Sequence, residues 1–335
     1  MLIDRWTNLN IAPAYLAQVG PRDREVWRVL LFPVAWIMGG LMAGAALYAL
    51  AMSLSDYLSR LMPAMVQVMR AAPLGRVHVA QVKPHLGLLG EARSVLQLTA
   101  GPIGFAISIP VIGHVIMRRP MHSWFTAAYS FRWKMLAAGM VLFCLATGVA
   151  MILDGLLHGF PAASPLLRND ETWSVRLVYF IVTLVAITGA AAAEEAITRG
   201  WLMQQTSAFT RNLAVIVSVN AALFSLIHLD PDPLRNLALF ISGVSLSLIA
   251  VRTGGLEFGI GIHAANNLML GWFSTPFRIS DPGGRMTFAD LLVQVLVTLS
   301  GLALAEVTLR WRPLRGRVFW DCGWTQPRRH RTLGL

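Results

Sequence analysis

The sequence predicts an all-α fold, a polytopic transmembrane helical bundle of about eight spans. Three observations lead there. Of 335 residues, 56% are hydrophobic and only 13% are charged, where a soluble domain carries about a quarter. The apolar residues are blocked into long runs, and about 20 helical residues cross the ~30 Å hydrocarbon core of a bilayer. Between the runs lie polar connections rich in arginine. The net charge of +11 therefore speaks for membrane topology and against nucleic acid as a partner. Cys144 and Cys322 supply neither a disulfide framework nor a metal cluster. Apolar sequence begins only near Val29, after Asp4, Asp23 and Glu25, which does not fit a cleaved signal peptide.

The spans are expected near 29–52, 95–117, 135–157, 174–194, 213–228, 235–251, 256–273 and 288–308. Three regions follow: 1–134, with two spans and a long connection; 135–310, a membrane bundle holding the polar motifs; and a basic tail, 311–335. In the first span Gly40 and Gly44 form a small-xxx-small pattern, the signature of close helix packing. The connection 53–94 carries Met62, Met65, Val66 and Met69 at helical spacing, which fits a helix lying on the membrane surface. Arg118, Arg119, Arg132 and Lys134 crowd one connection, and seven arginines lie from Arg310 onward. An even span count with both termini cytoplasmic satisfies that pattern. High alanine and arginine usage points to a bacterial inner membrane.

Ionisable groups inside a span cost roughly 2.5 kcal/mol or more, so they are functional candidates by default. Most have an ordinary explanation. His114 reads as a hydrogen-bonded packing residue, and Asp154–His158 and Glu306–Arg310 as pairs at helix ends, each at i, i+4. "LDG" at 153–155 is similar to one element of the site-2 proteases, but their HExxH is absent here. No GxSG serine motif or paired GxGD aspartate motif occurs either.

Three clusters remain, on or beside three separate apolar segments: "EEAITR" at 194–199, "FSLIH" at 224–228 and "HAANN" at 263–267. Together they hold two carboxylates, two imidazoles, a guanidinium and an amide, a set that can deprotonate water, hold a metal and stabilise an oxyanion. Glu194 and His228 each stand seventeen residues from Arg211, at the turn between them. Two helical arms of that length reach about 25 Å, so both groups share a relative depth. A straight helix from 174 to 210 is longer than a bilayer is thick, so part of 196–210 is expected to bend, protrude or lie in the interface. Adjacent carboxylates on a helix point about 100° apart. Glu195 is the i, i+4 partner of Arg199, which leaves Glu194 as the base. His228 can share water activation or bind a metal with Glu194. His263 and Asn267 lie one turn apart on one face, as an oxyanion site needs. Phe224 walls the pocket, and Asn266 is expected to point elsewhere.

At these residues the chain resembles the CPBP family of CAAX-processing and bacteriocin-processing membrane endopeptidases, also called Abi, whose marks are EExxxR, FxxxH and HxxxN. The resemblance covers roughly residues 174–275. It implies an intramembrane endopeptidase acting on membrane-associated proteins or peptides in the bilayer. Glu194 and His228 would activate water, His263 and Asn267 would stabilise the oxyanion, and Glu195 and Arg199 would support the site. Family members are described both as metalloproteases and as metal-free glutamate enzymes. A zinc ion held by Glu194, His228 and His263, with water in the fourth place, is one expectation; a metal-free site is the other. A membrane scaffold or immunity protein and a proton-coupled transporter are the rival classes. A transporter would be marked by repeated halves with broken helices, and the sequence shows no such repeat.

Overall fold

The computed structural model describes residues 14–71, 87–159, 164–167, 171–273 and 285–310. Among them the chain is helical, with one isolated antiparallel bridge between Thr126 and Gly255. The helices are α1 (Val26–Ala71), α2 (Leu88–Met117), α3 (Trp133–His158), α4 (Trp173–Glu195), α5 (Met203–Phe209), α6 (Leu213–Ile227), α7 (Pro233–Thr253), α8 (Glu257–Phe273) and α9 (Phe288–Arg310). A π-helical segment, Ala196–Leu202, joins α4 to α5 without a break.

The expected spans all fall on helices. Six helical stretches are long and apolar enough to cross a membrane, including Trp173–Phe209, which runs through the π segment. The other two, α6 and α8, have 15 and 17 residues. At 1.5 Å per residue they reach only about 22–26 Å. Short length is tolerable in α8 because neighbouring helices, rather than lipid, cover it. Phe258, Ile260, Ala264, Ala265 and Leu268 are all buried.

One expectation is corrected. Residues 53–71 do not form a separate surface helix, since α1 continues through them as one 46-residue helix. The side chains of Met62, Met65, Val66 and Met69, residues 72–86, the Asp154–His158 pair and the tail 311–335 lie outside the described residues.

Small residues set the α1–α2 contact. A Cβ at Gly104 would strike the backbone of Gly44, and one at Gly44 would lie 3.2 Å from the Gly101 Cα. Close backbone approach is what the small-xxx-small pattern promised. The lipid-facing sides stay apolar and exposed, as at Leu30, Met38 and Leu41 of α1 and Leu292, Val293 and Leu296 of α9.

Polar contacts fix which helix ends lie together. Arg28, at the start of α1, donates to the Ile116 carbonyl at the end of α2. The Thr126–Gly255 bridge sets the α2–α3 connection beside the α7–α8 turn. Arg252 binds Glu306 at 2.5 and 2.9 Å, and Arg310 adds a third contact at 3.1 Å. Glu306 thus pairs with α7 as well as with the expected Arg310. His114 donates from Nδ1 to the Arg119 carbonyl at 2.9 Å, the hydrogen-bonded role expected of it.

At the same end Arg132 and Glu257 form a fully buried two-pronged pair, at 2.9 and 2.6 Å, and Arg132 also donates to the Thr253 carbonyl. Removing one member leaves a buried charge uncompensated, which typically costs about 3–5 kcal/mol. Arg132→Met should destabilise the protein by about that amount. Arg132→Met combined with Glu257→Leu should recover most of the loss in the same chemical denaturation in detergent micelles.

Candidate functional site

The three motifs meet at one place. Glu194, Phe224, His228, His263, Asn266 and Asn267 line a single cavity of about 190 Å³ between α4, α6, α7, α8 and α9. The equal spacing of Glu194 and His228 from the turn after α5 is realised as two arms reaching the same cavity.

The two carboxylates end α4, directly before the π segment. There an extra residue per turn widens the helix, a feature common at functional sites. Glu195 and Arg199 are buried and paired at 3.2 Å, the i, i+4 couple anticipated from the sequence. Arg199 further donates to the Thr198 hydroxyl at 2.8 Å and to the Gly243 carbonyl of α7 at 3.1 Å. Its guanidinium lies 4.3 Å from the Phe224 ring centre, a cation–π contact that favours a desolvated arginine. Phe224 therefore does more than wall the cavity. Among the described residues Glu195 Oε2 and Arg199 Nε are buried with no hydrogen-bond partner.

His263 ties the first motif to the third. Its Nδ1 lies 3.0 Å from Glu195 Oε1. An ion-paired carboxylate only accepts, so Nδ1 carries the proton. Its Nε2 lies 3.5 Å from Glu194 Oε2, longer than a made hydrogen bond. The side chain of Glu194 is one-third exposed, unlike its neighbour Glu195. The two adjacent carboxylates are thus divided between cavity and ion pair, as their 100° separation requires.

His228 caps the end of α6. Its Nδ1 lies 2.7 Å from the Phe224 carbonyl, a group that only accepts. That bond fixes the tautomer and leaves Nε2 unprotonated as an acceptor. The Phe224 and His228 rings meet edge to face at 4.8 Å.

Asn266 departs from expectation. It lines the cavity and donates from Nδ2 to Asn267 Oδ1 at 3.2 Å. Occupying that oxygen leaves the Asn267 amide hydrogens for the cavity. The side chain turns inward because α8 is surrounded on most of its circumference, so "elsewhere" on this helix is still interior.

Several residues of the site carry no motif. Asn220 of α6, fully buried, donates to the Thr198 carbonyl at 2.6 Å and accepts from Ser247 of α7 at 2.9 Å. The Thr198 carbonyl also receives the Met203 amide that closes the π segment. Gly200 is required by packing, since a Cβ there would stand 2.7 Å from the Trp124 carbonyl. Tyr15, ahead of α1, donates to the carbonyls of Trp124 at 2.9 Å and Arg199 at 3.2 Å. Burial pushes its phenol well above the ordinary tyrosine range, so it acts as a neutral donor. An asparagine inside "VSVNAALF" was the available signal for Asn220; nothing in the local sequence marks Tyr15.

Among the described residues no group of three or more His, Cys, Asp or Glu side chains is arranged to hold a metal ion. His263 commits Nδ1 to Glu195 and turns Nε2 toward Glu194.

Asn220→Leu keeps the number of side-chain heavy atoms but removes the contacts to the π segment and to α7. It should lower the unfolding free energy by about 1–3 kcal/mol in detergent denaturation. An unchanged midpoint would show that the segment holds its shape without this bond.

Comparison with known proteins bears on the same segment. Residues 172–269 match the family model "Type II CAAX prenyl endopeptidase Rce1-like". "Uncharacterized protein YyaK" of Bacillus subtilis (strain 168) is 25% identical over 166 residues, 48% of this chain. The chain spans about half the length of that relative, 54%. No solved structure matches. The matched segment ends within α8 and takes in all three motifs, and it supports the CPBP/CAAX protease family as the one to which this bundle is related.

Proposed function

We propose that the protein is an intramembrane endopeptidase that hydrolyses peptide bonds of membrane-associated proteins or peptides with water activated by glutamate and histidine. One observation carries this reading: Glu194, His228, His263 and Asn267, from three helices, line one cavity. The Rce1-like match over 172–269 supports it.

In this reading Glu194 and His228 Nε2 accept hydrogen bonds from one water. Glu194 takes its proton, and the hydroxide forms the new bond to the substrate carbonyl carbon. The Asn267 amide and His263 Nε2–H donate to the resulting oxyanion. As the C–N bond breaks, the proton on Glu194 passes to the leaving nitrogen, giving a carboxylic acid and an amine and returning Glu194 to its carboxylate. His263 then carries two protons, and the charges of Glu194, Glu195, Arg199 and His263 sum to zero. Charge balance matters because unpaired charge in a low-dielectric interior is costly. Glu195, Arg199 and Asn220 hold His263 and the π segment in place. We read the cycle as metal-free, since among the described residues no group of three or more His, Cys, Asp or Glu side chains is arranged to hold a metal ion.

We place the enzyme in a bacterial inner membrane with both termini cytoplasmic. The start of α1, the end of α9 and the cationic connection with Arg118, Arg119, Arg132 and Lys134 share one end of the bundle, in keeping with the positive-inside rule.

The test uses purified protein in proteoliposomes with a pool of palmitoylated, internally quenched decapeptides of randomised sequence. Glu194→Gln should lower cleavage by about 10²–10⁴-fold, and Asn267→Ala by about 10²–10³-fold. Cleavage by Glu194→Gln at the wild-type rate would overturn the reading. Dialysis against a chelator should leave the wild-type rate unchanged; a loss restored by zinc alone would overturn the metal-free form.

A further inference from the structure

The catalytic cavity is not closed on the side of α9. A larger recess of about 510 Å³ adjoins it, lined by Arg235, Leu239 and Ser242 of α7, by Arg285, and by Asp290 and Gln294 of α9. Leu239, Ser242 and Gln294 line both spaces, so the two share one wall. The recess sits where α7 and α9 begin, at the end of the bundle opposite the cationic connection. Just inward, α7 and α9 are joined by Ser242 and Thr298 hydroxyls 3.2 Å apart and by a bond from Ser245 to the Thr298 carbonyl at 3.3 Å.

Gln294 stands at the junction. It belongs to the face of α9 that also carries Val297, Thr298, Gly301 and Ala305, while Leu292, Val293 and Leu296 face outward and are exposed. Among the described residues its amide has no hydrogen bond. Lining both recesses, that amide is placed to pair with a ligand bound there. A primary amide presents one acceptor and two donors. A peptide group of an extended chain is its complement, as in strand addition.

We propose that the recess between α7 and α9 is the subsite for the polypeptide flanking the scissile bond, and that the Gln294 amide hydrogen-bonds a peptide group of the bound segment. The proposal rests on the endopeptidase reading and adds the route and one recognition contact. Gln294 lies outside the segment 172–269 that matches the family model, so the contact belongs to this chain's own α9.

Two measurements test it. In proteoliposomes with the quenched decapeptide pool, Gln294→Leu should lower kcat/KM at least tenfold through KM. Its pH profile and kcat should match wild type within twofold, and Leu292→Ala on the lipid face should be unaffected. The Tm of Gln294→Leu should equal or exceed wild type, because a partnerless amide has been removed; a lowered Tm with unchanged KM would assign Gln294 a structural role and overturn the proposal. In a Glu194→Gln background, the same decapeptides bearing benzophenone should label tryptic fragments 236–252 and 286–310, which contain Ser242 and Gln294. If wild type cleaves but these fragments stay unlabelled, the subsite fails while the endopeptidase reading stands. If nothing is cleaved but both fragments are labelled, the binding site stands and the endopeptidase reading fails.

Discussion

Everything at the centre of this bundle depends on one buried ion pair, Glu195 with Arg199. Neither charge reaches water, and an uncompensated charge there would cost several kcal/mol. The pair is compensated from three sides. Arg199 binds the Gly243 carbonyl of α7 and lies against Phe224 of α6, and Glu195 receives Nδ1–H of His263 from α8. Each compensating contact comes from a different helix. Satisfying the charge therefore also assembles the cavity, because Phe224 is one turn from His228 and His263 one turn from Asn267.

The π segment is the device that makes this possible. In a regular α-helix Glu195 and Arg199 would face one stripe of neighbours. Within the wider turn at Ala196–Leu202 Arg199 is buried, and just before it Glu194 keeps its partial access to the cavity. The distortion is held from outside the motifs, by Asn220 and Ser247 on one side and by Tyr15 and the Trp124 carbonyl on the other. Residues far from the matched segment thus bear on its geometry. The aromatic packing of Phe32, Trp124 and Trp201 presses the first part of the chain onto the same helix.

What could be read in the sequence follows from range. The spans were legible because hydropathy is local, and Glu195–Arg199 because i, i+4 partners share a helix face. Glu194, His228, His263 and Asn267 were legible because polar groups stand out in apolar runs. Contacts between distant positions were not. Arg132 looked like a topological cation, and only the fold brings Glu257, 125 residues away, to it. Asn266 looked like the wrong face of its helix, since the sequence does not show that α8 is covered nearly all round. Gln294 is one polar residue in an apolar span, and its meaning depends on the two recesses that meet there. The course of α1 through residues 53–71 was misread because amphipathic spacing suggested a separate helix on the membrane surface, where the first helix in fact continues.

The link from Glu195 to His263 joins the first motif to the third across 68 residues of sequence. A double-mutant cycle measures it most directly: unfolding free energies of Glu195→Gln, His263→Ala and the double variant in detergent micelles. The account predicts a coupling of about 1–3 kcal/mol, since hydrogen-bonded neighbours are not additive. Additivity within about 0.5 kcal/mol would mean the two side chains do not meet, and the single site drawn from three helices would be wrong.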